Sequence, residues 1–207
     1  MIIKRLVVGP LDTNAYLIGD EATRQAVVVD PGDEPERILD LIKDSGMEVN
    51  AIICTHAHFD HIGAAGDIKN ATGARILLHR DDLENYELVR DQAAIWGYDI
   101  DELPPPDGFI EEGNNIQVGN LSFRVMHTPG HSPGGICLYG EGIIITGDTI
   151  FKGSVGRTDF PGGSVERLRE SFKRIIALPD ETAILSGHGP ETTVGTEKRE
   201  NFFVREL

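Results

Sequence analysis

Three imidazoles and a carboxylate crowd six consecutive positions, His56-Ala57-His58-Phe59-Asp60-His61, directly after the apolar run Val49-Asn50-Ala51-Ile52-Ile53-Cys54. A short apolar run of this kind reads as a buried strand, so the fold must bring that strand to an edge where polar groups can face a cleft. Neutral histidine and ionised aspartate are ligands that zinc, iron and manganese accept. Side chains alternate as a chain leaves a strand, which places His56 and His58 on one side. Asp60 and His61 come where the chain is expected to turn into a helix seeded by Ile62-Gly63-Ala64-Ala65. One run can therefore serve two adjacent metals.

Further strands are expected at 2–8, 14–19, 26–30, 75–79, 115–118, 121–126, 135–139, 142–146 and 183–186. Helices fit between several of them. Pro35 to Ser45 carries Ile38, Leu39, Leu41 and Ile42 on one face, with Pro35 near its start and Gly46 past its end. Ser164 caps a helix reaching Ala177, with a stripe of Val165, Leu168, Phe172, Ile175 and Ile176. Asp81 and Glu84 form a capping pair for a helix running toward Trp96. Asp99 to Gly113, with Pro104-Pro105-Pro106, is expected as a long loop bordering a substrate cleft. The chain also echoes itself. Asp30 ends a strand that leads through a helix to His56, and Asp148 ends a strand that leads through a helix to His188.

Composition limits the partners. The 207 residues fit one domain over 1–207, long enough to bury roughly 70% of the unfolded surface. A net charge of −15 argues against nucleic acid, whose backbone needs a basic face. No stretch reads as a membrane span or signal segment. Cys54 and Cys137 sit in apolar runs, as expected of buried reduced thiols rather than a disulfide, which points to the cytoplasm.

Three more candidate ligands follow downstream, each beside glycine or proline: His131 in His127-Thr128-Pro129-Gly130-His131, Asp148 after Ile143-Ile144-Ile145-Thr146-Gly147, and His188 after Ala183-Ile184-Leu185-Ser186-Gly187. Singly, each could be an ordinary turn residue. In order, HxHxDH, His, Asp, His, they resemble the ligand set of the metallo-β-lactamase superfamily over nearly the whole chain. The resemblance implies an α/β fold, an αβ/βα four-layer sandwich of two mixed sheets with helices outside and metals at one edge. It implies two divalent metal ions, zinc first, with iron and manganese also accepted. His56, His58 and His131 would hold one, Asp60, His61 and His188 the other, and Asp148 would bridge them. A hydroxide between the metals would attack a carbonyl, with Asp60 orienting it. Asp30 would at most buttress the ligand loop, while His79 and His127 are read as structural.

The segment Gly147 to Gly163, with Ser186 to Thr193, is similar to the short glyoxalase II-like branch. That implies hydrolysis of thioesters of the hydroxyacylglutathione type, a small-molecule and possibly glutathione-derived substrate. The chain ends soon after His188, without the helical C-terminal domain of full glyoxalase II. It also carries Arg157 and Asp159 where full members have a Lys-aromatic pair. Arg157 is the leading candidate to receive substrate carboxylates, Lys152 a weaker one, and the competing reading pairs Arg157 with Asp159. True β-lactamases lack this bridging aspartate or replace a histidine, so antibiotic hydrolysis is not expected. Gly156-Arg157-Thr158-Asp159-Phe160 also resembles persulfide dioxygenases. Those use a single iron on the equivalents of His56, His131 and Asp148, the alternative reading. The sequence does not speak to oligomeric state.

Overall fold

Each central strand buries both of its faces, and that requirement produces layers. The computed structural model describes residues 1–206. One sheet contains β1 (Ile2–Val8), β2 (Thr13–Gly19), β3 (Gln25–Val29), β4 (Glu48–Ile53), β5 (Arg75–Leu78) and β6 (Gly108–Phe109), in that spatial order. Strands β1 to β3 form an antiparallel meander, and β3 to β6 run parallel. The second sheet has β7 (Asn115–Val118), β8 (Leu121–His127), β9 (Ile136–Gly140), β10 (Ile143–Gly147), β13 (Ala183–Ser186) and β14 (Thr192–Thr193). A small hairpin of β11 (Ile150–Phe151) and β12 (Ser154–Val155) stands apart. The helices are α1 (Pro35–Ser45), α2 (Phe59–Ile62), α3 (Ala65–Thr72), α4 (Leu83–Glu87), α5 (Val89–Ile95), α6 (Val165–Ile176) and α7 (Val194–Glu200).

Side-chain alternation divides the apolar residues among three cores. On β3, Ala26 and Val28 join Ile38 and Ile42 of α1 and Ile68 of α3, while Val27 and Val29 face the other sheet. Between the sheets those residues meet Phe123, Val125, Ile143 and Ile145. On the far side Ile144 packs with Leu168, Phe172 and Ile175 of α6. Full burial of one such side chain contributes about 1.5–3 kcal/mol, so three cores give the four-layer sandwich ample support. The two thiols are free and buried, Cys54 in the first core and Cys137 in the third. Among the described residues no helix is long and apolar enough to cross a membrane.

The internal echo is architectural. Strands β3 and β4 are parallel neighbours joined through α1, and β10 and β13 are parallel neighbours with α6 between them in sequence. Asp30, His56, Asp148 and His188 all lie just past the carboxyl ends of these four strands. Parallel sheets commonly present ligands at that edge.

Several local expectations change. Asp60 and His61 lie inside α2, which begins at Phe59 rather than at Ile62. Asp81 and Glu84 do not cap a helix. Instead His79 Nδ1 accepts the Asp81 N–H at 3.2 Å over a 3₁₀ turn, Arg80–Asp82, and the following helix divides at Leu88. The reason is tertiary, because the Asp82 carboxylate is drawn inward by donors on other loops. In α6, Ser164 Oγ accepts the Arg167 N–H as expected, but Val165 is exposed on the overhanging first turn. The 99–113 segment contains β6 and is pinned where Tyr86 Oη donates to the Pro104 carbonyl at 2.7 Å.

Candidate metal centre

At the shared strand edge, the ligand run is held from behind by Asp30. This residue follows β3 with φ of 51° and is 1% exposed. Its Oδ1 accepts the Thr55 N–H at 2.7 Å, and its Oδ2 accepts Thr55 Oγ1 at 2.7 Å and faces His61 Nδ1 at 3.0 Å. Asp30 thus buttresses the run, as expected. A Cβ on the nearby Gly32 would come within 1.6 Å of the Asp60 carbonyl oxygen, so only glycine allows the two turns to touch there.

The seven residues named from the sequence converge. His56, His58 and His131 form one group with close ligand atoms, and Asp60, His61 and His188 form another. His58 Nδ1 lies 2.9 Å from His131 Nε2, and His61 Nε2 lies 3.3 Å from His188 Nε2. Asp148 stands between the groups. Its Oδ1 is 3.3 Å from His61 Nε2, while its Oδ2 is 3.6 Å from His131 Nε2 and 3.5 Å from His188 Nε2.

The outward nitrogens explain why the inward ones are bare. His131 Nδ1 meets the Arg157 carbonyl at 2.7 Å, His188 Nδ1 the Leu11 carbonyl at 3.0 Å, and His61 Nδ1 the Asp30 carboxylate. Each partner accepts a proton, which fixes the tautomer and leaves lone pairs facing one another across the centre. His56 Nε2 and Asp148 Oδ1 are buried without any hydrogen-bond partner. Buried polar atoms rarely stay unpaired. Converging imidazole lone pairs with an orphaned nitrogen and carboxylate oxygen are what a cation satisfies, and this N/O donor set fits zinc, iron or manganese.

Without a cation the cluster divides electrostatically. Burial, reinforced by neighbouring imidazoles, holds His56 far below the ordinary range and His58 down to about 3. Burial also opposes charge on His61 and His188, but the Asp148 and Asp60 carboxylates outweigh it, raising His61 strongly and His188 to about 10. Asp148 is lowered despite burial by the imidazoles around it.

Other residues enter that the sequence did not mark. Thr13 Oγ1 donates to Asp60 Oδ2 at 3.0 Å, Asn14 Nδ2 donates to the Ser186 and Gly189 carbonyls, and Tyr16 Oη donates to Ser186 O. The available signal was polarity at the start of β2, a strand buried along its whole length. Asp82 is fully buried beneath the first histidine group.

The substrate candidates fare differently. Arg157 is committed to Asp159, with Nε and Nη2 each 2.6 Å from a carboxylate oxygen, and its guanidinium lies 4.1 Å over the Phe160 ring. This is the geometry of the competing loop-fixing pair, made between two exposed side chains. Its backbone carbonyl, not its side chain, touches the centre. Lys152 is exposed at the tip between β11 and β12, next to Phe151, whose ring lies 5.9 Å from that of His188. The third histidine pair, His79 and His127, stacks face to face at 3.9 Å and 11°. With Asp81 they offer a further set of close ligand atoms, but His79 Nδ1 already accepts the Asp81 N–H and His127 Nε2 meets the Pro133 carbonyl.

A crevice of about 70 Å³ opens beside Asp60, lined by Leu11, Thr13, Phe59, Tyr98 and Ile100, with Asp33 and Asp99 at its margin. The start of the 99–113 segment therefore borders a cleft. A larger hollow, about 460 Å³, lies by Glu112, His127 and Arg174, and none of the seven residues lines it.

A model of the metallo-beta-lactamase superfamily matches residues 8–188. The chain is 35% identical to hydroxyacylglutathione hydrolase GloC of Haemophilus influenzae over 99% of this chain and 98% of that protein. The crystal structure of TTHA1623 in a di-iron-bound form is 42% identical with a TM-score of 0.90, covering 97% of this chain and 99% of that one. BLEG-1, a B3 metallo-beta-lactamase, is 35% identical with a TM-score of 0.91 over 98% and 99% of the two chains. ETHE1 from Myxococcus xanthus is 31% identical with a TM-score of 0.83 over 100% and 85%.

Proposed function

The chain belongs to the metallo-beta-lactamase superfamily, and from that premise we propose that it is a binuclear metal-dependent hydrolase of thioester bonds, similar in activity to hydroxyacylglutathione hydrolase. The observation that carries this reading is the placement of Asp148 between two complete groups, with carboxylate oxygens 3.3–3.6 Å from ring nitrogens of both. A single-iron centre needs only His56, His131 and Asp148. It has no use for His61 and His188 anchored by their outer nitrogens and turned toward Asp60.

In this reading His56, His58 and His131 would hold one ion and Asp60, His61 and His188 the other, with Asp148 placed to serve either. Bound metal supplies Lewis acidity and makes water acidic enough to act as a nucleophile near neutral pH. The protein's own part is positional. Thr13 donates to Asp60 Oδ2, the oxygen that faces His61 and His188, and fixes that carboxylate's rotamer so that Asp60 orients the attacking water and takes its proton. The crevice of Leu11, Phe59, Tyr98 and Ile100 receives apolar substrate atoms and keeps bulk water away. Water adds to the thioester carbonyl, the carbon–sulfur bond breaks, and the thiol leaves with the proton. Among the described residues no lysine or arginine lines this crevice, so the reading extends to thioesters in general rather than to glutathione in particular.

The test is metal analysis of protein purified without added metal, paired with turnover of S-lactoylglutathione and of a neutral thioester. Two ions per chain and thioester hydrolysis are expected, and Asp60→Asn should lower turnover at least about 100-fold, as for an electrostatic catalytic group. The similarity to ETHE1 motivates the second reading, a mononuclear iron persulfide dioxygenase. One iron per chain, with oxygen uptake on glutathione persulfide and no thioester hydrolysis, would establish that reading instead. The similarity to BLEG-1 makes a chromogenic β-lactam a necessary third substrate, on which little turnover is expected.

A further inference from the structure

Asp82 is fully buried and takes no part in either ligand group. Its Oδ2 accepts the Ala57 N–H at 2.9 Å and Ser132 Oγ at 2.9 Å. Its Oδ1 accepts the Gly134 N–H at 2.7 Å and, more distantly, Asn85 Nδ2 at 3.4 Å. Ala57 lies between His56 and His58, and Ser132 follows His131. One carboxylate therefore ties together the two loops that carry the first histidine group, which are far apart in sequence. The fit is close, since a Cβ on Gly134 would stand 2.5 Å from the Asp82 nitrogen. Ala57 stands on the run that continues into α2 with Asp60 and His61, but none of the Asp82 hydrogen bonds is made to Asp60, to His61 or to the loop of His188. Asp30 holds the same run from its other side, at Thr55 and at His61 Nδ1.

We propose that Asp82 is a positioning residue for one metal site only: it sets the separation of the His56–His58 loop from the His131 loop, and with it the affinity of that site. This rests on the ligand assignment proposed above. A carboxylate is required because all four neighbours donate. An asparagine offers one oxygen, and its NH₂ would oppose donors on one loop or the other, releasing that loop.

The experiment is zinc titration of metal-free protein against a chromophoric chelator, giving two affinities for wild type, Asp82→Asn and Ser132→Ala. Asp82→Asn should weaken one affinity by about 10–100-fold, the usual cost of losing a group that orients a ligand. The other should change by a clearly smaller factor, because Asp148 is the one ligand the two groups share and Asp82 makes no hydrogen bond to it. Ser132→Ala, which removes a single donor and leaves the fold intact, should show the same selectivity with a smaller loss. In a His58→Ala background, which deletes the first site, Asp82→Asn should leave the remaining affinity unchanged. Equal weakening of both sites, or a loss that persists in the His58→Ala background, would make Asp82 a general structural prop and overturn the proposal. Failure of the ligand assignment shows separately and overturns it too: wild type would bind fewer than two ions, or His58→Ala would still bind both.

Discussion

Replacing Asp30 with asparagine changes almost nothing in shape and one thing that matters, the proton on His61. Asp30 Oδ1 faces the Thr55 N–H, a group that can only donate, so the asparagine oxygen must take that position. The new NH₂ then points at Thr55 Oγ1 and His61 Nδ1, where Oδ2 had been. The threonine hydroxyl can turn and accept, but His61 Nδ1 must also accept. The neutral, metal-binding form of the ring then carries its proton on Nε2, the nitrogen 3.3–3.4 Å from Asp148, Asp60 and His188. An ion at Asp60, His61 and His188 must now displace that proton. Loss of such an orienting partner typically lowers metal affinity 10–100-fold, or about 1.4–2.8 kcal/mol. Because an amide still contacts Nδ1, the metal-free protein should lose no more than about 1.5 kcal/mol of stability. Chelator-competition titration measures the first quantity and thermal unfolding the second. An Asp30→Asn protein that binds both ions as tightly as wild type would refute the tautomer argument.

Three further outcomes are expected. Gly187→Ala places a Cβ 2.3 Å from Asp148 Oδ1 and 2.6 Å from His61 Cε1, an overpacking worth about 1–3 kcal/mol. Metal content should fall toward one ion per chain. Arg157→Ala should alter KM for S-lactoylglutathione and for a neutral thioester alike, because its guanidinium is already engaged by Asp159. An effect confined to the anionic substrate would return Arg157 to substrate binding. Burial raises the Cys54 thiol strongly and moves Cys137 from 9.0 to about 11. Both should resist a thiol-specific disulfide reagent at pH 8 until the protein unfolds. Above pH 9 the unfolded chain loses these protons first, so thiol-linked stability, complete below that pH, should decline between about pH 9 and 11.

The sequence alone determined the elements whose cause is local. Periodicity placed the main strands within a residue or two. Serine before an apolar stripe located α6, and proline and glycine located α1. The order of histidines and aspartates named a family whose fold brings all seven to one edge. These signals are legible because a buried strand, a capped helix and a ligand-bearing turn each impose residue types over a few positions. Tertiary structure decided the rest. Asp82 looked like part of a helix start, and only the arrival of the Ala57 and Ser132–Gly134 loops makes it a buried junction. Thr13 became part of the centre because β2 passes behind Asp60, a relation across 47 positions that no local pattern encodes. Arg157 could face substrate or Asp159 with the same neighbours in sequence, and loop geometry closed it onto the carboxylate two residues away. Ligands are read from residue type, whereas the groups that orient them are common polar residues whose role exists only in three dimensions.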